Sequence, residues 1–238
     1  MLLADPGTGS YDVAMADTLP DAALAIVSET FGCDALLAAV VAQQARYRSW
    51  PHRATIVAEG DDLDAILLLI SGRARMLAYG VDGRFVLVQD FAVGDLMGEG
   101  ALIDEGPAES EIVAIDPVGA GSFAPPVFVA LMSTHACIAL AVSRLLVARL
   151  GMATRRLVEG ATLSAVGRVH AELLREARAA SAMTIIPAPV LAELARTVQT
   201  TRETVSRAIS VLERRGIVRR TAEALTVVAP HRLQELIY

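Results

Sequence analysis

Apolar positions change their spacing along this chain, and each change predicts a different kind of structure. Residues 20–44 carry apolar side chains at helical spacing, with Asp21 as a candidate cap. Short runs of β type follow, separated by turns rich in Gly and Asp, at 54–58, 65–71, 74–79 and 85–91. Closely spaced short strands favour a β-sandwich or barrel over alternating strands and helices. Residues 1–18 lack any periodic pattern, so we expect a flexible tail there.

From Pro125 onward the pattern is helical for more than 30 residues. Within it, small and apolar side chains recur at alternating steps of four and three, at Ala139, Ser143, Leu146, Leu150, Ala153 and Leu157. This alternation is typical of a coiled-coil seam, so we predict a parallel homodimer with Leu146, Leu150, Ala153 and Leu157 in its interface. Residues 127–146 are also about as long and apolar as a bilayer span. His135 and Arg144 interrupt them, and we expect no membrane insertion.

After residue 163 the pattern predicts a new domain built on a winged helix-turn-helix. A short helix over 190–197 leads through the turn Val198–Gln199 into a second helix that stops at Gly216. Two β-like runs, 217–220 and 225–228, then predict a two-stranded wing.

The second helix of this motif has two chemically distinct faces. Its apolar positions repeat at helical spacing, at Val205, Ala208, Ile209 and Leu212. The opposite face carries polar residues near the end that would enter a major groove, and the predicted DNA-binding set is Thr200, Thr201, Arg202, Glu203, Ser206 and Arg207. Arg can fork to guanine O6 and N7, and Glu can accept from cytosine N4.

Thr200 and Glu203 have the spacing of a capping box, which predicts that the helix begins at this point. Taken alone, these residues fit an ordinary solvated helix with an intrahelical ion pair equally well.

Charge is distributed unevenly along the chain, although its net value is −6. Residues 1–131 contain 6 Arg and 19 acidic residues, whereas residues 132–238 contain 15 Arg and 8 acidic residues. A basic module keeps its own local field beside an acidic one, so the negative net charge does not exclude binding to nucleic acid.

Metal and disulfide chemistry find little support in the sequence. Cys33 and Cys137 lie far apart, and neither has a second Cys at metal-ligand spacing, so we expect no metal site. The four His residues are scattered, which disfavours a catalytic roll of the cupin type, and we expect no enzyme activity. The N-terminus lacks the basic region of a signal peptide, so we expect a cytoplasmic protein.

Taken in order, these features resemble the CRP/FNR (catabolite activator) family of bacterial transcription regulators over about residues 20–230. The resemblance rests on the roll of strands, the long helix, the hinge Ser164–Val169 and the segment Arg202–Arg207. It implies an α+β fold with an N-terminal cyclic-nucleotide-binding-like β-roll, or double-stranded β-helix, over 19–126. A long dimerisation helix over 127–163 and a winged helix-turn-helix over 164–238 would follow.

The same resemblance implies a homodimer that binds double-stranded DNA at an inverted repeat and contacts RNA polymerase. Its half-site would be of the TGTGA or TTGA type. Ser206 lies between Glu203 and Arg207 as in the FNR-like branch of the family. Gln199 stands where the family usually has Gly in the turn, at a cost of about 1 kcal/mol if its φ is positive.

The phosphate-binding cassette of the family maps onto residues 94–102 and continues to Ser110. In members that bind cyclic AMP, a Gly-Glu pair contacts the phosphate and the ribose, and an Arg-Ser pair clamps the phosphate. Gly98, Glu99 and Ser110 match this pattern, but Glu109 stands in the Arg position. Thr154 would complete the effector pocket, beside Ala153 at the adenine-contacting position.

The charge reversal at Glu109 decides against cyclic AMP. Two unit charges about 5 Å apart at an effective dielectric near 20 repel by roughly 3 kcal/mol, which is about a hundredfold in affinity. We therefore expect that cyclic AMP is not the main effector, and no cofactor is identified.

Several alternatives stay open at this stage. The effector could be an unidentified small molecule in an altered roll pocket, a redox signal at a thiol, or absent. A different function, a nucleotide sensor that acts through protein contacts, would use the winged helix as an interaction surface.

Overall fold

The computed structural model describes residues 14–16, 18–80, 85–103 and 106–237. The chain divides into two compact units, Met1–Val147 and Ala148–Tyr238. The predicted fold class is confirmed: a β-roll precedes a long helix, and a winged helix-turn-helix follows.

Two antiparallel sheets form the roll of the first unit. One sheet has the order β1-β2-β9-β4-β7 and the other β3-β8-β5-β6. The strands are β1 (Ala14–Ala16), β2 (Arg46–Trp50), β3 (Thr55–Val57), β4 (Ile66–Ser71), β5 (Ala74–Tyr79), β6 (Phe85–Phe91), β7 (Leu96–Met97), β8 (Glu111–Ala114) and β9 (Val118–Phe123). The four predicted runs correspond to β3, β4, β5 and β6, while β2, β7, β8 and β9 were not predicted.

The predicted flexible tail over 1–18 is wrong for Ala14–Ala16, which pair with β2 as strand β1. Backbone pairing rather than an apolar pattern places this segment in the sheet. Of the other residues in that prediction, 1–13 and 17 lie outside the described residues.

Helices α1 (Ala23–Phe31) and α2 (Ala35–Gln43) replace the single predicted helix over 20–44. Gly32 ends α1 in the left-handed conformation, with φ 60°. Asp34 then caps α2 by accepting a hydrogen bond from the Leu37 amide at 2.8 Å. The proposed cap Asp21 is wrong, because the N-cap position of α1 is Ala22, which has no side-chain cap.

The predicted long helix over 127–163 is also two helices, α3 (Pro125–Thr134) and α4 (Ala136–Thr162). His135 separates them in an extended conformation, with φ −121° and ψ 101°. α4 is long and apolar enough to pass a composition test for a membrane span, with mean hydropathy 1.7, yet only 11% of that window is buried. An exposed dimerisation helix has the same properties, so the test is weak evidence for a membrane.

Strand β4 connects two hydrophobic cores because its side chains alternate between faces. Ile66 and Leu68 pack with Phe31 and Phe128 on the helical side. Leu67 packs on the other side, in the roll interior with Trp50 and Phe91. All six strand residues except Ser71 are buried, so β4 is the central element of the roll.

The second unit contains the end of α4 and a compact winged helix-turn-helix. Its further elements are α5 (Ala165–Ala179), β10 (Thr184–Ile185), α6 (Leu191–Thr197), α7 (Arg202–Arg214), β11 (Val218–Arg220), β12 (Leu225–Val227) and α8 (Pro230–Glu235). Ser164 caps α5 by accepting from the Gly167 amide at 3.0 Å. The predicted wing is present as β11 and β12, and β10 adds a third strand to it.

Candidate nucleic-acid interface and effector cassette

Helix α7 has the two faces that its sequence predicts. Val205, Ala208, Ile209 and Leu212 are buried in the core of the second unit. The side chains of Arg202, Glu203 and Arg207 are exposed, and Ser206 is half-buried beside them. Burial of one face fixes the helix, so the other face is held rigidly toward solvent.

The first turn of α7 is capped by Thr201 and not by Thr200, so the predicted capping box is wrong. Thr201 Oγ1 accepts a hydrogen bond from the Thr204 amide at 3.2 Å. The amide of the half-buried Thr200 donates instead to the carbonyl of Ala195 on α6, at 2.9 Å. Thr200 therefore belongs to the turn, one residue before the cap.

Glu203 is exposed at the second position of the helix, in the first turn, where backbone amides have no acceptor within the helix. Its own backbone amide, and next the Thr201 hydroxyl, hydrogen-bond to the carboxylate and lower the pKa of Glu203. Nearby Arg202 and Arg207 act in the same direction. Glu203 thus stays ionised at neutral pH and can only accept hydrogen bonds, as readout of a cytosine amino group requires.

The turn between α6 and α7 contains a residue in a strained backbone conformation. Gln199 has φ 52°, in the left-handed region that favours glycine. This conformation costs a residue with a Cβ about 1 kcal/mol. From the sequence, that cost is expected at Gln199 if its φ is positive.

Arg168 of α5 supports this turn through two of its three hydrogen bonds, a role that the sequence analysis missed. Its Nε donates to the Val198 carbonyl at 2.9 Å, and its Nη2 donates to the Gln199 carbonyl at 3.1 Å. Its Nη1 donates to the Leu163 carbonyl at 3.1 Å, just before α5 begins. One guanidinium therefore ties the start of α5 to the turn that precedes the recognition helix.

The C-terminal end of α7 and the strand after it carry further exposed positive charge. Gly216, with φ 65°, ends the helix, and the Ile217 amide donates to the Leu212 carbonyl at 2.9 Å, as in a Schellman motif. Exposed arginines follow one another in the last turn and on β11, namely Arg214, Arg215, Arg219 and Arg220.

The cassette of the roll begins at Gly98, which follows β7. Gly98 is buried and has φ 76°, and a Cβ atom there would lie 2.5 Å from the Ala65 carbonyl oxygen. Only glycine therefore fits. A short 3-10 turn, Glu99–Leu102, follows, with Glu99 half-buried at its start.

The far end of the cassette carries negative charge. Glu109 is exposed and Ser110 is half-buried, in a bend before β8. Glu111 follows, and its carboxylate accepts from the Thr55 hydroxyl at 3.0 Å and from the Tyr79 hydroxyl at 2.7 Å. The hydrogen bond to Glu111 raises the pKa of Tyr79. A fixed carboxylate thus lies two residues beyond Glu109, which the sequence analysis did not consider.

The remaining predicted pocket residue and the seam lie on α4. Thr154 is exposed in the second compact unit, whereas the cassette belongs to the first. The leucines of the seam are exposed as well: Leu146 at 41%, Leu150 at 68% and Leu157 at 74%. Ala153 is also exposed. Such an apolar row in water is costly unless another surface covers it.

The described residues support neither a metal site nor a reactive thiol. No group of three or more His, Cys, Asp or Glu side chains that could hold a metal occurs within them. Cys33 and Cys137 both pack against the helical core of the first unit. Burial, with smaller contributions from Cys137 and Asp34, raises the pKa of Cys33. A thiol kept protonated is a poor nucleophile, which disfavours redox sensing at Cys33.

Two family models match this chain. A cyclic nucleotide-binding domain matches residues 47–135, and a Crp-like helix-turn-helix domain matches residues 167–236. The first model covers most of the roll and α3, and the second covers most of the winged unit.

Two curated relatives match over most of their own length. A CRP-like cAMP-activated global transcriptional regulator of Mycobacterium tuberculosis is 26% identical over 200 residues, covering 82% of this chain and 89% of the relative. The cAMP-activated global transcriptional regulator CRP of Pasteurella multocida is 27% identical over 184 residues, covering 75% and 87%.

Solved structures share the fold. A CooA mutant from Carboxydothermus hydrogenoformans has a TM-score of 0.75 at 17% identity, covering 92% of this chain and 98% of that structure. FixK2 from Bradyrhizobium japonicum has a TM-score of 0.65 at 21% identity, covering 82% and 98%.

Replacing Arg168 by Ala should loosen the turn before α7, because the Val198 and Gln199 carbonyls lose a charged donor. We expect the local opening free energy to fall by about 2 kcal/mol, or roughly thirtyfold in amide protection. Hydrogen exchange of peptides covering residues 196–205 measures this change. The control is Arg196→Ala, an exposed arginine on α6. Equal exchange in both variants would contradict the role of Arg168.

Proposed function

Because the chain belongs to the CRP/FNR family of bacterial transcription regulators, we propose that it binds an inverted-repeat operator as a homodimer. The observation that carries this proposal is the exposed polar face of α7, with Arg202, Glu203 and Arg207 on a helix whose other face is buried. Half-sites of the TGTGA or TTGA type offer guanine to arginine and, on the complementary strand, cytosine to glutamate.

Shape and charge of the second unit support the DNA proposal. Thr200 and Thr201 lie at the N-terminal end of α7, which in this proposal approaches the DNA backbone, where hydroxyls suit phosphate contacts. The exposed arginines Arg219 and Arg220 on β11 add cationic surface on the wing. Phosphate contacts of this kind set affinity and position, while Arg202, Glu203 and Arg207 select the sequence.

The proposed dimer interface is the seam on α4. Leu150 and Leu157 are more than two-thirds exposed and lie seven residues apart, on one stripe of the helix. Ala153 between them allows close approach of a second copy. A twofold dimer presents two copies of α7 to successive major grooves, so the operator has matching symmetry.

We assign the chain no cyclic AMP control, although the relatives named above are cAMP-activated. Gly98, Glu99 and Ser110 would suit a cyclic nucleotide, but the exposed Glu109 stands where a cation is needed. Glu111, fixed by Thr55 and Tyr79, adds to the negative field. A cyclic phosphate would therefore meet repulsion where the clamp requires attraction.

Three further expectations follow because the proposed function is that of a transcription regulator. A regulator of this kind acts in the cytoplasm and contacts RNA polymerase, and it performs no catalysis of its own. The effector, if the roll binds one, differs from cyclic AMP in charge.

Replacing Arg202, Glu203 or Arg207 by Ala should each weaken operator binding by ~1–3 kcal/mol per half-site, because a base contact is lost. Fluorescence anisotropy with an inverted repeat and with a scrambled duplex measures the discrimination. Glu213→Ala and Arg214→Ala, at the other end of α7, are the matched controls and should affect both duplexes equally. If the three test variants discriminate as well as the wild type, the winged unit serves protein contacts instead.

Replacing Leu150 by Glu should convert the dimer to a monomer, because it places two facing carboxylates in an apolar seam. Sedimentation velocity gives the mass of each species. Met152→Glu is the control, since Met152 is 43% exposed on α4 but lies outside the seam. A wild-type chain that sediments as a monomer would refute the proposed interface.

Replacing Glu109 by Arg should create cyclic AMP binding at least about a hundredfold tighter than in the wild type, because the repulsion becomes a clamp. Isothermal titration calorimetry with cyclic AMP measures the affinity. Glu59→Arg makes the same charge change at another exposed site of the roll unit and should not create binding. Micromolar binding to the wild type would overturn the assignment.

A further inference from the structure

A cleft of about 340 Å³ lies within the second unit, apart from both the roll and the recognition helix. Its walls are the last turns of α4, one side of α5, and α8 with the residues that follow it. This volume falls in the range of small-molecule sites in proteins. Neither the DNA proposal nor the effector cassette uses it.

Three arginines line the cleft, against a single carboxylate. They are Arg155 of α4 and Arg175 and Arg178 of α5, and the carboxylate is Glu159. The Arg175 guanidinium donates to Glu159 and to Glu172, so its charge is balanced and its position fixed. Two of the three arginines therefore have no carboxylate partner in the lining, and the cluster keeps a net positive charge when Glu172 is counted with Glu159.

Arg178 and Arg155 are these two arginines. Arg178 Nη2 donates to Gln234 Oε1 at 2.8 Å, which orients the guanidinium and leaves its other N–H groups for a ligand. Arg155 is exposed and takes part in no hydrogen bond or ion pair recorded for the described part of the chain. Both side chains can turn N–H donors toward an anion in the cleft.

The rest of the lining is apolar. Val158 of α4 and Ile237, which follows α8, contribute hydrocarbon surface, and the buried Leu174 of α5 lies beneath it. Val158 is 53% exposed although it lines a concave surface, so a ligand there would remove apolar area from water. Apolar walls beside two arginines without a carboxylate partner suit a molecule with one anionic group and a hydrocarbon body.

The cleft stays open in the proposed dimer. With Leu150 and Leu157 as the a positions of the heptad and Ala153 as d, Arg155 and Thr162 fall at f. Val158 and Glu159 fall at b and c, which also lie on the outer side of a coiled coil. A second copy packed on the seam would therefore not cover these residues.

From this geometry we propose that the cleft between α4, α5 and α8 is a binding site for an amphipathic organic anion. Arg155 and Arg178 hold the anionic group, and Val158, Leu174 and Ile237 contact the hydrocarbon body. The site goes beyond the proposed function, because it requires neither DNA nor the cassette of the roll.

The probe is 8-anilinonaphthalene-1-sulfonate, an amphipathic anion whose fluorescence rises in apolar sites, titrated into the full chain without DNA. Arg155→Glu should weaken probe binding about tenfold or more, because a charge-assisted hydrogen bond is lost and repulsion replaces it. Arg155→Glu/Arg178→Ala should weaken it further. Since Arg155 is exposed and makes no hydrogen bond or ion pair within the described residues, the single variant should keep the wild-type circular dichroism spectrum and melting temperature.

The matched control is Arg232→Glu, which makes the same charge change on α8 at an exposed residue outside the cleft, and it should bind the probe as the wild type does. Decanoate should displace the probe, and decanol, with the same chain length and no charge, should not. Equal probe affinity in Arg155→Glu and the wild type would overturn the proposal, as would equal displacement by decanol. Because no operator is present, failure of the operator experiment leaves this outcome unaffected.

Discussion

The hydrogen bonds of the Arg168 guanidinium hold the turn on which the candidate DNA-binding surface depends. Gln199 is kept in a left-handed conformation, which is costly for a residue with a Cβ. With the turn in this conformation, α7 buries Val205 and Leu212 in the core of the second unit. Hydrogen bonds from the planar guanidinium to the Val198 and Gln199 carbonyls offset the strain, and a third holds the Leu163 carbonyl. A lysine could not reproduce them, since its three N–H donors share one nitrogen and do not span acceptors as a planar guanidinium does.

Long periodic segments of the fold could be predicted from the sequence, and several strands could not. β4 and α7 have apolar patterns that leave one solution, whereas β9 has the sequence Val-Gly-Ala-Gly-Ser-Phe, which is typical of a loop. Its glycines are required by packing: a Cβ at Gly119 would lie 2.2 Å from the Tyr47 hydroxyl oxygen. Local propensity cannot show this, because Tyr47 lies on another strand.

The residues of the candidate interface could be predicted from the sequence, whereas the Arg168 hydrogen bonds that support them could not. The difference lies in how far apart the interacting residues are along the chain. Arg202, Glu203 and Arg207 lie within two turns of one helix, so helical periodicity alone places them together. The acceptors of Arg168 lie 5, 30 and 31 residues away, and no local pattern connects them. The cap of α7 lies between these cases. Thr200 and Thr201 are chemically equivalent, and the hydrogen bond from Thr200 to Ala195 on α6 decides which of them caps the helix.

Charge separates the two candidate ligand sites of this chain more sharply than shape does. At the end of the cassette, Glu109 and Glu111 favour a cation or a neutral hydrogen-bond donor over a phosphate. In the cleft of the second unit, Arg155 and Arg178 favour an anion. At an effective dielectric near 20, one misplaced unit charge costs roughly 3 kcal/mol at about 5 Å. That amount exceeds what one buried methylene group contributes, so the sign of the ligand charge selects between the sites before its shape does.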